Sequence, residues 1–309
     1  MLKLKIKVLS PIHISNGNDL SYGIHYFVND KKFYKFHFSR IAQFLSETNS
    51  FPLDKSTGHS EIVKKIISKF SDYDKSCFEY EIDTQNKFSE DVVNLQERFG
   101  EMEVKEFINS NGKFYVPGSS IKGAILTAVR KPYLGINPDR NQGKYIEERF
   151  IINDSNFISN DNFCVFETNM RSTTPRKIKA YFICLMPNVK FEIIIQKNGK
   201  LQKENLIDAL NSYSSKQIKE VRKYLETYIE SNDDSAKLFS DSLNYIIKKS
   251  DSLKANEAII NIGLGGGNWF KTVNDKPSDR PGHTSFSFGE EEKLRHMGWC
   301  KVEVEEANV

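Results

Sequence analysis

Two glycine-bearing segments about 140 residues apart constrain this chain more than any other feature. The first reads Tyr115-Val116-Pro117-Gly118-Ser119-Ser120-Ile121-Lys122-Gly123-Ala124. The second reads Ile262-Gly263-Leu264-Gly265-Gly266-Gly267-Asn268-Trp269-Phe270-Lys271-Thr272. In the first, proline and glycine predict a tight turn and a serine supplies an N-cap. The run from Ile121 then predicts a helix to Lys131, ending before Pro132 because proline disfavours helical backbone at the preceding residue. A helix start leaves amides unpaired at the positive end of the dipole, where an anion is stabilised. The second segment places Gly263, Gly265, Gly266 and Gly267 within five residues, more glycine than a simple hairpin needs. A loop so poor in side chains cannot shield its own backbone, so a ligand backbone can lie against it.

Each segment has a plain reading beside the functional one. A turn and N-cap account for Gly118 and one serine, and leave Lys122 and Gly123 open to either reading. The spacing is not that of a Walker loop, and the second segment is followed by no βαβ unit, which argues against a dinucleotide loop. A loop against a polynucleotide backbone fits better there. Trp269 and Phe270 can then stack a base or anchor the loop to the core, and one of the two is expected to do the latter.

Hydrophobic residues make up 39% and charged residues 28% of the 309 positions, which excludes wholesale disorder and leaves room for two modest domains or one large one. Lys and Arg outnumber Asp and Glu only by 44 to 41, so any basic surface must be local. Cys77, Cys164, Cys184 and Cys300 form no Cys-x-x-Cys pair and read as reduced, mostly buried thiols of a cytoplasmic protein, with no metal site. No stretch approaches the roughly 18 apolar residues of a membrane span. Leu2 to Val8 alternates apolar and basic residues as a half-buried strand does. Short strands are expected at Tyr22 to Phe27 and Lys32 to Phe38, with a helix from Ser39 through Leu45.

Ser60 to Phe70 has helical spacing, and 132–175 reads as loop-rich. Ile178 to Met186 and Val189 to Gln196 read as a hairpin about Pro187-Asn188. Helices follow at Glu204 to Asn211, Lys216 to Glu230 and Ser235 to Lys249, and a last strand runs from Trp299 to Val304. Strands at both ends with helices between predict an α+β architecture. Of the histidines, His13 and His25 lie near the first strand, and none has a visible catalytic partner at motif spacing.

Three pieces together resemble the repeat-associated mysterious protein (RAMP) superfamily of CRISPR systems. They are Leu9-Ser10-Pro11-Ile12-His13-Ile14, the Val116 to Ala124 segment and the late glycine-rich loop. The second glycine segment, followed by His296-Met297-Gly298-Trp299-Cys300-Lys301-Val302, is similar to the type III-A (Csm) subunit at the 3′ end of the guide RNA. Where that family usually carries proline before the methionine, this chain has His296, and a small change in loop geometry is expected there.

The resemblance implies two tandem ferredoxin-like (RRM-like) modules, over 1–150 and 151–309, with helical insertions at about 40–110 and about 204–250. It implies a non-catalytic subunit of an antiviral ribonucleoprotein that binds CRISPR RNA (crRNA), without cofactor, metal or membrane. Its partners would be backbone RAMP subunits, other type III-A subunits and host nucleases that trim the crRNA 3′ end. Gly118, Ser119, Ser120 and Lys122, with Gly263, Gly265, Gly266, Gly267, Trp269 and Lys271, are the candidate RNA contacts. Arg130, Lys131 and Arg280 are secondary ones. Both lysine-flanked turns are expected to converge on one groove for a polyanionic strand. The alternatives are a metal-independent endoribonuclease processing CRISPR RNA, with His13 or His25 as general base, and a backbone or 5′-end subunit of a related complex.

Overall fold

Leu2, Leu4, Ile6 and Val8 are buried along one face of the first strand while its lysines stay half-exposed on the other. The computed structural model describes residues 1–47, 64, 68–69, 73–94, 102–129, 150–171, 177–197, 202–229, 234–264, 284–288 and 294–307. Strand β1 (Leu2–Val8) lies between β12 (Lys190–Lys197) and β16 (Trp299–Glu306), antiparallel to both. Leu4 thus stands between Ile193 and Val304, and Ile6 between Phe191 and Val302. Such rows bury aliphatic side chains worth about 1.5–3 kcal/mol each. On the opposite face, Lys3 pairs with Glu192 at 2.6 Å and Lys5 with Glu305. The edges are β9 (Phe150–Ile152) beyond β12 and β13 (Glu257–Asn261) beyond β16.

Chain order turns this sheet into a recognisable unit. Between β1 and β9 comes helix α3 (Gly118–Val129), and between β12 and β16 comes helix α4 (Lys203–Ile229). The order β-α-β-β-α-β, with strands arranged β16-β1-β12-β9 and all neighbours antiparallel, is that of a ferredoxin-like unit. Ile121 and Ile125 of α3 and Leu206 and Leu210 of α4 join Leu2, Leu4 and Ile6 in one core cluster. Helix α5 (Asp234–Asp251) adds Leu243 and Ile246 to a smaller cluster with Leu9, Ile259 and Trp299.

Three insertions into that unit supply every strand of a second, nine-stranded sheet. The first, between β1 and α3, brings β2 (Ser15–Ser21), β3 (Tyr26–Asn29), β4 (Lys32–Phe36), β5 (Phe78–Thr84) and β6 (Glu103–Phe107). It also carries the small β7 (Asn109–Ser110) and β8 (Lys113–Phe114) pair and helices α1 (Phe38–Glu47) and α2 (Asn86–Asn94). The second is the hairpin β10 (Phe163–Arg171) and β11 (Lys177–Leu185), which slots between β5 and β6, parallel to each. The third is β14 (Thr284–Phe288) with β15 (Leu294–His296), β14 pairing along the far half of β10. Much of the phenylalanine and tyrosine content goes into this sheet's core: Tyr26 stacks on Phe33 at 4.3 Å, and Phe114 lies 4.3 Å from Phe163.

Several expectations are corrected here. Division at residue 150 into tandem modules does not describe how the sheets are built, because both sheets draw strands from both halves of the chain. The strands flanking Pro187-Asn188 do not form a hairpin. Asn188 adopts a positive φ of 72° and donates its N–H to Val8 O at 2.8 Å, sending β11 and β12 into different sheets. The two helices expected at Glu204 to Asn211 and Lys216 to Glu230 are one, α4, whose mid-helix Ser214 is buried and donates its hydroxyl to Ile259 O. Within the stretch read as loop-rich lies β10, the shared strand of the second sheet. The helix expected over Ser60 to Phe70 lies almost wholly outside the described residues. Cys77, Cys164, Cys184 and Cys300 are buried thiols, and burial pushes the pKa of Cys184 and Cys300 up. Among the described residues no helix is long and apolar enough to cross a membrane.

Candidate nucleic-acid interface

Pro117 and Gly118 open α3 at the margin of the five-stranded sheet. A side chain at Gly118 is not tolerated: its Cβ would stand 2.1 Å from Ile152 O and 2.7 Å from Asn153 O. The Gly118 N–H donates to Asp154 Oδ1 at 2.7 Å, so a carboxylate of the chain itself occupies the first position at this helix start. The same joint is stitched by Val116 N–H to Ser155 Oγ at 2.8 Å and Ser155 N–H to Val116 O at 2.9 Å. Sequence reasoning missed Asp154, because it lies 36 residues from the glycine it caps and nothing in a linear motif connects them. The Ser120 N–H points back to Pro117 O at 3.1 Å. Ser119 is exposed, Ser120 and Lys122 are half-buried, and Gly123 is exposed. A Cβ at Gly123 would meet nothing within 4 Å, so no packing requirement accounts for that glycine.

The second motif begins where β13 ends. Gly263 has φ +74°, a left-handed backbone, and its Cβ would lie 2.3 Å from His13 O. The next amide, Leu264 N–H, donates to that same carbonyl at 2.9 Å. Gly298 repeats the device: φ +89°, with a Cβ that would lie 2.5 Å from Ile262 O. Its N–H donates to Pro11 O at 2.8 Å, and its carbonyl accepts from Ile262 N–H at 2.8 Å. Asn261 Nδ2 donates to Met297 O at 3.0 Å and Trp299 N–H to Ser10 Oγ at 2.9 Å. Ser10 to Ile14, Ile262 to Leu264 and His296 to Trp299, which share no sequence neighbourhood, are therefore one interlocked knot. It holds the root of the glycine-rich loop. Gly265, Gly266, Gly267, Trp269, Lys271 and Arg280 of that loop, and Arg130 and Lys131 after α3, lie outside the described residues.

The histidines sit in contrasting places. His13 is 1% exposed, with Nδ1 2.8 Å from Ile183 O; a carbonyl only accepts, so Nδ1 carries the proton. Its ring lies edge-on to Phe182 and Phe107, and burial lowers its pKa to about 4, so it is neutral and sealed from solvent. His25 is half-buried and its Nδ1 accepts the Ser21 N–H at 2.9 Å; burial, then Lys35, lowers its pKa. His296 is fully buried, accepts Trp299 Nε1–H on Nδ1 at 2.8 Å and is pushed by burial to about 3. A second polar centre surrounds the buried Glu106 carboxylate, which receives Asn16 at 2.6 Å, Lys35 at 2.7 Å, Tyr80 at 2.8 Å and Asn18 at 3.1 Å. Burial opposes its ionisation, but the Lys35 and Asn16 hydrogen bonds prevail and hold it below the usual carboxylate range. That network ties the bulged β2 to β6. Among the described residues no group of three His, Cys, Asp or Glu side chains could hold a metal ion.

Gly118 and Gly263 stand at opposite corners of the five-stranded sheet, while the loop from Gly265 onward, on which convergence of the two turns depends, lies outside the described residues. Gly118 packs against Ile152, in register with Ile195 and Leu2, at the β9 edge and the Leu2 end of β1. Gly263 follows Asn261, in register with Trp299, at the β13 edge and beyond the Val8 end. Four strand spacings make about 19 Å across the sheet and seven residues about 23 Å along it, roughly 30 Å on the diagonal. One nucleotide cannot touch both Gly118 and Gly263; an extended strand can.

The RAMP superfamily profile matches residues 5–271. No curated protein matches the chain. A chain in the cryo-EM structure of a Csm-crRNA-target RNA ternary complex from a type III-A CRISPR-Cas system superposes with a TM-score of 0.69 at 17% identity, covering 98% of this chain and 100% of that one. The crystal structure of T. onnurineus Csm5 superposes with a TM-score of 0.58 at 16% identity, covering 96% of this chain and 99% of that one. At such identities the likeness establishes a common fold.

Proposed function

From a chain that belongs to the RAMP superfamily, we propose a non-catalytic crRNA-binding and assembly subunit of a type III-A CRISPR ribonucleoprotein. It sits near the crRNA 3′ end and supports trimming of that end by recruited nucleases. The observation that carries this reading is the end-to-end likeness to a subunit of a Csm-crRNA-target RNA complex, with 98% of this chain and all of that one covered. The start of α3 at Gly118 and the root of the second motif at Gly263 act as separate stations along an extended single strand. Backbone contacts of this kind supply affinity without sequence preference, which suits a subunit that must accept any spacer. The sealed ring of His13 and the occupied Nδ1 of His25 favour binding over cleavage.

The test is the affinity of the full chain for single-stranded crRNA over a range of salt, with Lys122→Ala/Lys271→Ala as the comparison. Each phosphate contact contributes about 0.7 to the salt slope on single strands, so the double variant should bind every spacer more weakly and lose about 1.4 from the slope. Wild-type affinity and slope in that variant would remove both lysines from the interface. A wild-type chain that binds no RNA would overturn the reading itself.

A further inference from the structure

We propose that Phe157, flanked by Tyr115 and Lys113, is a stacking platform for an unpaired RNA base beside the start of α3; this rests on the single-stranded RNA reading above. Phe157 is 60% exposed, the most exposed large hydrophobic side chain among the described residues. Looseness does not explain it, because the chain on either side is pinned. Ser155 N–H donates to Val116 O at 2.9 Å, and Ile158 N–H to Phe114 O at 2.8 Å. The segment opposite alternates as a strand does: Phe114 and Val116 point inward at 0% exposure, while Lys113 is exposed and Tyr115 half-buried. The outward ring of Tyr115 meets Phe157 edge-on, centroids 6.3 Å apart at 84°. That contact is perpendicular and not stacked, so it buries little of the Phe157 ring and most of the side chain stays in solvent.

The cation decides what the ring is suited to receive. Lys113 Nζ lies 5.6 Å from the Phe157 centroid. An apolar protein surface closing over the ring would have to strip water from that ammonium without offering it a partner. A nucleotide offers both complements at this spacing, a π face for the ring and a phosphate for the lysine. Four residues beyond Tyr115, the exposed Ser119 lies in the first turn of α3. A strand passing the first glycine motif thus has the platform close by along the chain, since Tyr115, which touches Phe157, is three residues before Gly118.

The test uses the full chain and a fluorescent single-stranded crRNA. Phe157→Ala should weaken binding about five- to a hundred-fold, the range for one lost base stack, with the salt slope unchanged because no ion pair is removed. Phe157→Trp should restore wild-type affinity or better, which a merely structural role for the benzyl group would not predict. Wild-type affinity in Phe157→Ala overturns the platform while leaving the RNA-binding reading intact. The platform is equally overturned if Phe157→Ala binds RNA normally and instead fails to join its neighbouring protein subunits. A wild-type chain without RNA affinity removes both.

Discussion

Gly123 offers the sharpest separation of folding from binding. It sits within α3 on an exposed face, one turn after Ser119, and an added Cβ would touch nothing within 4 Å. Its carbonyl accepts the Thr127 hydroxyl at 2.7 Å, a bond alanine would keep. Glycine costs a helix interior about 0.8–1.0 kcal/mol relative to alanine, so Gly123→Ala should stabilise the protein by that amount. For a chain of this size the gain corresponds to roughly 1–1.5 °C in Tm. If an RNA backbone lies against this face, the same methyl overpacks the contact at about 1–3 kcal/mol, or roughly five- to a hundred-fold in Kd. Thermal unfolding and RNA titration on one preparation therefore should move in opposite directions, with Tm up and affinity down. A variant with raised Tm and unaltered RNA affinity would refute the reasoning, since the glycine would then serve neither packing nor ligand approach.

Two further outcomes follow from the knot at the root of the second motif. Gly263→Ala must place a methyl 2.3 Å from His13 O at φ +74°, so a loss of about 2–4 kcal/mol is expected, read as a lower urea midpoint at constant m-value; a loss below about 1 kcal/mol would contradict the contact. Stability should also depend on pH through His13 and His296, whose folded pKa values of about 4 and about 3 lie below the ordinary 6.5. The unfolded chain therefore takes up these protons first. Stability is full above pH 6.5 and falls as pH drops towards the folded values, each histidine contributing up to about 1.4 kcal/mol per pH unit. Urea unfolding at pH 7.5, 6 and 5 measures it, and a flat profile between 6.5 and 5 would mean that these rings are not buried neutral in the native state.

Local patterning accounts for what could be read without coordinates. The alternation Leu2-Lys3-Leu4-Lys5-Ile6 specifies a half-buried strand wherever its partners come from, because the period of two is a property of the strand itself. Likewise the Pro117-Gly118 turn marks the start of α3, which begins at Gly118, three residues before the expected Ile121, and the helix read from Ser235 begins at Asp234. The resemblance to RAMP proteins was carried by short segments of this kind, and the profile match over residues 5–271 agrees with it.

Long-range pairing emerges only in the folded chain. Lys177–Leu185 and Lys190–Lys197 have the composition of a hairpin, and composition is silent about partners; Val8 O and the left-handed Asn188 direct them into separate sheets. The capping of Gly118 by Asp154 and the seat of Gly263 on His13 O join residues far apart in sequence, and no periodicity encodes such a contact. Residue order was enough to mark β1, β4, β11, β12 and β16 and the helices α1, α3, α4 and α5, since backbone sterics and side-chain periodicity act within a few residues, whereas β5, β6 and β10 escape it. That one β-α-β-β-α-β unit is threaded by three insertions, and that Gly118 and Gly263 stand at opposite corners of its sheet, became visible only once the chain was folded, because strand partnership depends on which apolar faces can be buried together.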